Sequence, residues 1–189
     1  MNSQSSAIPG WRKPAWIALL AAASVAFTLG FACATALAAF AAIAALTMTR
    51  RDALLLVGLV WLANQSVGFG MLHYPWTADC LAWGGALGVI ALLSVLAAEF
   101  GAKCLIGRNR TLASIAAFLA AFAIYEGLLF LTSIIAQSGA EDYSATIVGR
   151  IFAINAVAFT GLLAVSRIGA SAGLVPAPSG QLAATGRSG

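Results

Sequence analysis

The chain has 189 residues, of which 61% are apolar and only 8% are charged, and its mean hydropathy is +0.95. A soluble domain carries roughly 25% charged and about 45–50% apolar residues. The composition therefore excludes an ordinary soluble domain and predicts one integral membrane domain solvated by the lipid bilayer. The net charge of +4 comes from basic residues scattered between apolar segments, so the sequence offers no continuous basic surface for a nucleic acid.

Six uncharged or nearly uncharged segments predict an all-α bundle of six membrane-spanning helices within a single domain, residues 1–168. Crossing the ~30 Å hydrocarbon core takes about 20 residues. The uncharged stretch between Pro14 and Thr49 is long enough for two short spans with a turn near Gly30, because glycine tolerates the backbone angles of a tight turn. The predicted spans are residues 15–30, 32–49, 53–72, 80–98, 112–136 and 147–166, and residues 169–189 are predicted to form a disordered cytoplasmic tail.

The basic residues orient this bundle. With six spans and both termini in the cytoplasm (N-in/C-in), every Lys and Arg except Arg150 falls on the cytoplasmic side, as the positive-inside rule requires. A single tilted helix over residues 14–49 would instead place the Arg-Lys and Arg-Arg pairs that flank it on opposite sides. A cleaved signal peptide is another interpretation of the first span, but apolar residues continue well past the small-residue cleavage pattern. We predict a multi-pass protein of the plasma (inner) membrane.

Cofactor and metal chemistry find little support in the sequence. The three cysteines form no C-x-x-C pair, and the single histidine, His73, cannot supply both ligands of a bis-histidine haem or complete a Cys/His zinc cluster. The chain also has no P-loop, no nucleophile elbow and no pair of carboxylates placed for acid/base chemistry. We therefore expect a protein that is not an enzyme and holds no metal or cofactor.

Polar residues inside the predicted spans indicate a ligand pocket, because such residues are costly in lipid and usually face the bundle interior. At 1.5 Å per residue, those of the third, fifth and sixth spans all lie within about 15 Å of the outer ends. Consecutive spans run in opposite directions, so this common depth does not follow from sequence position. We predict a small-molecule pocket in the outer half, formed by Asn64, Gln65, Glu126, Arg150 and Asn155.

Glu126 is the most informative member of this set. In low-dielectric surroundings an isolated carboxylate either takes up a proton or binds a cation. Arg150 is the nearest candidate cation within the chain. The two would form either a structural ion pair or part of the ligand site, and the sequence leaves both interpretations open.

The segment between the third and fourth spans adds an aromatic rim above this pocket. Its Tyr and Trp residues suit the interfacial belt that flanks membrane spans. Glycines on both sides of the segment also allow it to close over a pocket as a lid. On that second interpretation, His73, Trp76 and Asp79 contact the ligand.

Small residues repeat at every fourth position on several spans, and such faces let helices approach closely in lipid. The pattern occurs at Gly84 and Gly88 in the fourth span and at Ala18, Ala22 and Ala26 in the first. Each face either packs against another helix of the same chain or binds a partner subunit.

An alanine-rich protein of six spans, with a small-residue face on its first span and an outward-open pocket, resembles the substrate-binding S components of energy-coupling factor transporters. The resemblance covers residues 15–167, and its motif-level element is the spacing of Ala18, Ala22 and Ala26. It implies binding of a vitamin-like or cofactor-precursor molecule and docking of the first span on a membrane coupling subunit that works with two ATPases. The chain departs from this family in having no long loop between its first two spans.

Two other functions fit the same residues. A proton-coupled secondary transporter would use Glu126 as its proton-binding group. A non-catalytic accessory or assembly subunit of a membrane complex would use the alanine faces as interfaces and the polar residues as interhelical hydrogen bonds.

Overall fold

The computed structural model describes residues 17–19, 36–105, 107, 109–139 and 143–171. These residues form helices connected by turns, and no strand occurs among them. Residues 17–19 are helical. Five longer helices follow: α1 (Leu37–Thr47), α2 (Arg50–Gly70), α3 (Ala78–Leu105), α4 (Arg110–Ala136) and α5 (Ala145–Ser171).

Four of the described helices, α2 to α5, are long and apolar enough to cross a bilayer. They contain 21, 28, 27 and 27 residues, or about 32–42 Å of helix against a hydrocarbon core of about 30 Å. Large apolar side chains cover their outer faces, including Phe100 at 71% exposure and Ile135 at 74%. Such a surface suits lipid rather than water, so the fold is that expected of a multi-pass membrane protein.

Neighbouring long helices run antiparallel, and contacts between them fix the register. Arg50 at the start of α2 binds Glu99 near the end of α3, with Nη2 to Oε2 at 2.7 Å, and Lys103 Nζ lies 3.8 Å from the same oxygen. The Phe118 ring of α4 stacks on Phe159 of α5 at 4.9 Å. The described basic residues at the resulting common end of the bundle, called the basic end below, are Arg50, Arg51, Lys103, Arg110 and Arg167.

The short helix α1 lies at the centre of the bundle. It contacts all four long helices, and every residue of α1 except Leu46 is buried. Its 11 residues span about 16 Å, roughly half of a hydrocarbon core. Its sequence of alanines with Leu37, Phe40 and Ile43 is apolar on all sides, which is the pattern of a helix enclosed by protein.

Each long helix begins at a polar N-cap residue whose side chain accepts a backbone N–H of the first turn. Thr49 Oγ1 accepts from Asp52 N at 3.4 Å, and Asn109 Oδ1 accepts from Thr111 N at 2.7 Å. The corresponding contacts for α3 and α5 are made by Thr77 and Ser144. Helix α1 differs, because its N-cap residue is an alanine without a capping side chain.

The Gly84 and Gly88 face of α3 receives side chains of α2. A Cβ atom at Gly88 would lie 2.7 Å from the Trp61 ring, and one at Gly84 would lie 3.1 Å from Gln65 Oε1. Trp61 Nε1 also donates to the carbonyl of Gly84 at 2.8 Å. These two glycines therefore make room for neighbouring side chains of the same chain.

The turn between α1 and α2 lies earlier than the sequence predicts. The predicted second span runs to residue 49 and the third starts at 53, whereas α1 ends at Thr47 and α2 already begins at Arg50. The reason is a capping contact, in which the Thr49 hydroxyl also donates to the Asp52 carboxylate at 2.6 Å. This pairing of an N-cap Thr with an acidic residue at the third helical position draws the charged residues into the first turn.

Part of the predicted architecture lies outside the described residues. Of the predicted first span, 15–30, only residues 17–19 are described, and of the second, 32–49, residues 36–49 are described. The predicted tail, 169–189, differs at its start, because α5 continues to Ser171. Residues 172–189 lie outside the described part of the chain.

Candidate functional site

Glu126 occupies the middle of α4, and its side chain is buried. Counting along the helix places it about 15 Å from the end at Ala136 and about 24 Å from the start at Arg110. The residue is 8% exposed. Both carboxyl oxygens are inaccessible, and no described residue donates a hydrogen bond to either of them. A carboxyl group in this position is therefore desolvated without compensation.

Aromatic pairs lie one helical turn to either side of Glu126. Residues four apart share a helix face, so Phe122 and Phe130 stand below and above the carboxyl group on α4. The Phe122 ring meets Phe152 of α5 at 5.0 Å, and Phe130 meets Tyr143, which precedes α5, at 5.0 Å. The first pair joins α4 to α5 and the second joins α4 to the segment just before α5, so Glu126 lies between two contacts on one face of α4.

Tyr143, which lies between α4 and α5, interacts electrostatically with Glu126. Burial raises the pKa of Tyr143 above its ordinary value, the negative charge of Glu126 raises it further, and a side-chain hydrogen bond with Ser133 opposes both effects. The Tyr143 hydroxyl therefore responds electrostatically to the charge on Glu126.

Arg150 does not neutralise Glu126. The ring contacts of Phe122 with Phe152 and of Phe130 with Tyr143 place residues 147–148 of α5 level with Glu126, within one helical turn of Arg150, but the Arg150 side chain is exposed. The described ion pairs are those of Glu99 with Arg50 and Lys103. The predicted pairing of Glu126 with Arg150 is therefore not formed in this structure. Gly149, adjacent to this level, has open space where a side chain would stand.

Asn155 is buried at 1% exposure, and both polar atoms of its side chain make hydrogen bonds to backbone groups. Its Oδ1 accepts the backbone N–H of Ala39 at 3.2 Å, and its Nδ2 donates to the carbonyl of Ile151 at 3.0 Å. Ala39 lies in the first turn of α1, where helical N–H groups have no partner within their own helix. Asn155 therefore supplies from α5 the cap that the sequence around Ala36 lacks.

Asn64 and Gln65 have different surroundings although they are adjacent on α2. Gln65 packs on α3, where its Nε2 donates to the carbonyl of Gly84 at 3.3 Å. Asn64 is half-buried, and its amide makes no hydrogen bond to a described residue. The two side chains differ because neighbouring positions on a helix point about 100° apart.

The segment between α2 and α3 folds back on the end of α2. The backbone N–H of Tyr74 donates to the carbonyl of Gly68 at 3.1 Å, and the Phe69 ring lies 4.7 Å from that of Trp76. Trp76 is 75% exposed, and His73 and Asp79 are exposed as well. These three residues lie on the surface at the end of the bundle opposite the basic end.

The predicted pocket residues lie at different depths along the helices and in different surroundings. Gln65 lies level with Gly84 of α3. The close contact of Gly101 with Ala116 fixes the α3–α4 register and places Glu126 near the middle of α3. This level is about 10–13 Å deeper than Gly84, so Glu126 stands apart from the α2 amides.

The described part of the chain contains no group of three His, Cys, Asp or Glu side chains able to hold a metal ion.

The sequence interpretation missed the aromatic pairs beside Glu126. The signal for these pairs in the sequence is the four-residue spacing of Phe122, Glu126 and Phe130, which places all three on one face of α4.

No protein-family model, curated protein or solved structure matches this chain.

Proposed function

We propose that this protein is a proton-coupled membrane transporter in which Glu126 binds and releases the proton that moves with a small polar solute. The observation that carries the proposal is the burial of both Glu126 oxygens in mid-helix without a hydrogen-bond partner among the described residues. Ionisable groups are expensive within a membrane protein and mark proton relays and substrate pathways.

The contrast with Asn155 supports a functional role for Glu126. A polar side chain that serves packing finds partners, as the two hydrogen bonds of Asn155 illustrate. Glu126 has none among the described residues, although Arg150 lies within one helical turn of its level on α5. A group that must exchange a proton during a transport cycle is hindered by a permanent cation, because the cation stabilises the ionised form.

The proposal includes six spans with both termini in the cytoplasm of a plasma (inner) membrane. The clustering of described Lys and Arg residues at the basic end supports this orientation, since basic residues concentrate on the cytoplasmic side. The first span and its face of Ala18, Ala22 and Ala26 are part of the proposal; Ala18 is exposed, while the other two lie outside the described residues.

Modification by dicyclohexylcarbodiimide tests the state of Glu126, because this apolar reagent adds to protonated carboxyl groups. We expect modification of Glu126 in protein reconstituted into liposomes, decreasing as the pH rises. Glu99 is an internal control, since its carboxyl group contacts Arg50 and Lys103 whereas that of Glu126 has no described partner. Peptide mass spectrometry measures both sites. Equal modification of Glu99 and Glu126, or none at Glu126, would contradict the proposal.

Transport is tested in liposomes that enclose a pH-sensitive dye and are given a panel of small polar solutes. The wild-type protein should move protons when its solute is added. Glu126→Gln should abolish this movement, whereas Glu126→Asp should keep part of it because it retains a carboxyl group. Solute-dependent proton movement that persists in Glu126→Gln at the wild-type rate would exclude Glu126 as the coupling group.

A second candidate is the substrate-binding subunit of a multi-subunit uptake system, and Asn64 favours it. Asn64 lies about 9 Å from the end of α2, half-buried, with no described hydrogen-bond partner, and the exposed aromatic segment around Trp76 follows the same helix end. In this function a coupling subunit docks on the first span. Tight binding of a solute by the isolated protein, without proton movement and lost in Asn64→Leu, would favour this candidate.

A further inference from the structure

A crevice of about 270 Å³ lies between α4 and α5 on the side of the basic end. This size is close to the lower limit of small-molecule pockets, about 300 Å³. The Phe118–Phe159 stack forms part of its wall, and Ile115 and Leu163 add further apolar surface. The crevice is therefore mainly apolar along its length.

The crevice exists because α4 and α5 approach each other at large rings and carry smaller side chains beyond them. The smaller lining residues beside the ring stack are Ser114 on α4 and Thr160 on α5, on the side of the basic end, and Ala156 on α5, on the opposite side. The hydroxyls of Ser114 and Thr160 donate to carbonyls of their own helices, so they add little polarity. The lining residues Ile115 and Thr160 are exposed, so the crevice is open at the surface of the described helices, where a membrane-spanning bundle meets lipid.

A positive charge stands at the end of this apolar crevice. Arg167 belongs to its lining, its side chain is exposed, and no described acidic residue pairs with it. The Phe118–Phe159 register places Arg110, at the start of α4, level with Arg167. Arg167 therefore lines the crevice and Arg110 lies level with it, both near the ends of membrane-spanning helices, where basic residues meet lipid headgroups.

We infer that this crevice binds an anionic phospholipid, with the Arg167 guanidinium on the headgroup phosphate and an acyl chain along Ile115, Phe118 and Phe159. Basic pockets between membrane helices recognise anionic headgroups, and a planar guanidinium suits phosphate because it donates two parallel hydrogen bonds. The apolar wall excludes a free inorganic anion, which would lose its hydration without compensation. The lipid belongs to the leaflet beside the basic end.

Native mass spectrometry of protein released from nanodiscs tests this inference. Nanodiscs containing equal amounts of phosphatidylglycerol and phosphatidylcholine provide the anionic lipid and its zwitterionic counterpart. We expect the wild-type protein to retain phosphatidylglycerol preferentially. Arg167→Gln should lower that preference by about fivefold, the effect of one basic residue near an anionic membrane surface.

Two further variants separate this site from general attraction by the basic end. Arg51→Gln removes the same charge from an exposed position of α2 and should keep the wild-type preference. Ala156→Trp fills the crevice and should reduce retention of both lipids, while size-exclusion chromatography checks that the variant remains folded.

The inference is overturned by equal retention of the two lipids in the wild-type protein. It is also overturned if Arg51→Gln lowers the preference as much as Arg167→Gln does, since the basic end as a whole would then attract the lipid. Unchanged retention in a folded Ala156→Trp variant would place the lipid elsewhere on the protein.

Discussion

Asn155 and Glu126 are both buried polar side chains, but they differ in their hydrogen bonds. Asn155 connects α5 to α1 through the Ala39 N–H, whereas Glu126 has no described hydrogen-bond partner. The sequence alone identifies both residues as unusual, because polar side chains are rare and costly in a membrane interior. The sequence does not distinguish them, because the partner of Asn155 is a backbone group 116 residues away in the chain.

Replacing Asn155 should destabilise the fold, because Asn155→Ala leaves the Ala39 N–H without an acceptor in a buried position. We expect a loss of about 1–2 kcal/mol in the free energy of unfolding. Asn64→Ala is the matched control, since the Asn64 amide makes no described hydrogen bond, and its effect should stay within about 0.5 kcal/mol. Unfolding in mixed micelles measures both; equal losses would show that Asn155 is not the cap of α1.

The individual helices follow their local sequence signals with one exception. Thr49, Thr77, Asn109 and Ser144 each precede a long apolar run and start a helix there, as N-cap preferences predict. The long helices begin two or three residues before their predicted starts because these caps lie ahead of the apolar runs, and α3 and α5 also continue seven and five residues past their predicted ends. Helix α1 is the exception: its uncharged, alanine-rich sequence matches both a full span and the short enclosed helix that the structure contains.

Helix packing in lipid depends on close backbone approach, and the contact of α3 with α4 at Gly101 is the closest of these approaches. A Cβ atom at Gly101 would lie 2.6 Å from the carbonyl oxygen of Ala116, and backbone atoms cannot move aside as a flexible side chain can. We expect Gly101→Ala to lower the free energy of unfolding by about 1–3 kcal/mol.

Gly85→Ala in the same helix is the control for this prediction. A Cβ atom at Gly85 meets nothing within 4 Å, so the substitution should be neutral or should stabilise α3 by up to about 1 kcal/mol through helix propensity. Thermal unfolding in detergent compares the two variants. If both alanines had the same effect, the α3–α4 contact would not limit stability.

At the scale of the whole molecule, the composition predicts an all-helical membrane protein, and the structure has four described helices able to cross a bilayer. The sequence could not show whether the polar residues line a single pocket. Similar depth in separate helices says nothing about which way each side chain points, and Gln65, Arg150 and Asn155 face three different neighbourhoods.

The proposed membrane orientation predicts which end of the molecule can be reached from outside the cell. Cys104 is exposed near the basic end, and Trp76 is exposed at the opposite end. With both termini in the cytoplasm, a Trp76→Cys variant should react with a membrane-impermeant maleimide in intact cells, whereas Cys104 should react only after permeabilisation. Cys33→Ser and Cys80→Ser remove the other thiols, and labelled peptides are identified by mass spectrometry. Labelling of Cys104 in intact cells would reverse the orientation.

The dependence of α1 on Asn155 also determines when the protein can be completed during synthesis. Helix α1 leaves the ribosome early, but the acceptor for its Ala39 amide belongs to α5, the last helix of the described chain. Until α5 has entered the bilayer, that amide must stay hydrated or be shielded by the insertion machinery, because acyl chains offer it no acceptor. Truncation before α5 should therefore leave an immature protein whose centre remains open to quality-control proteases.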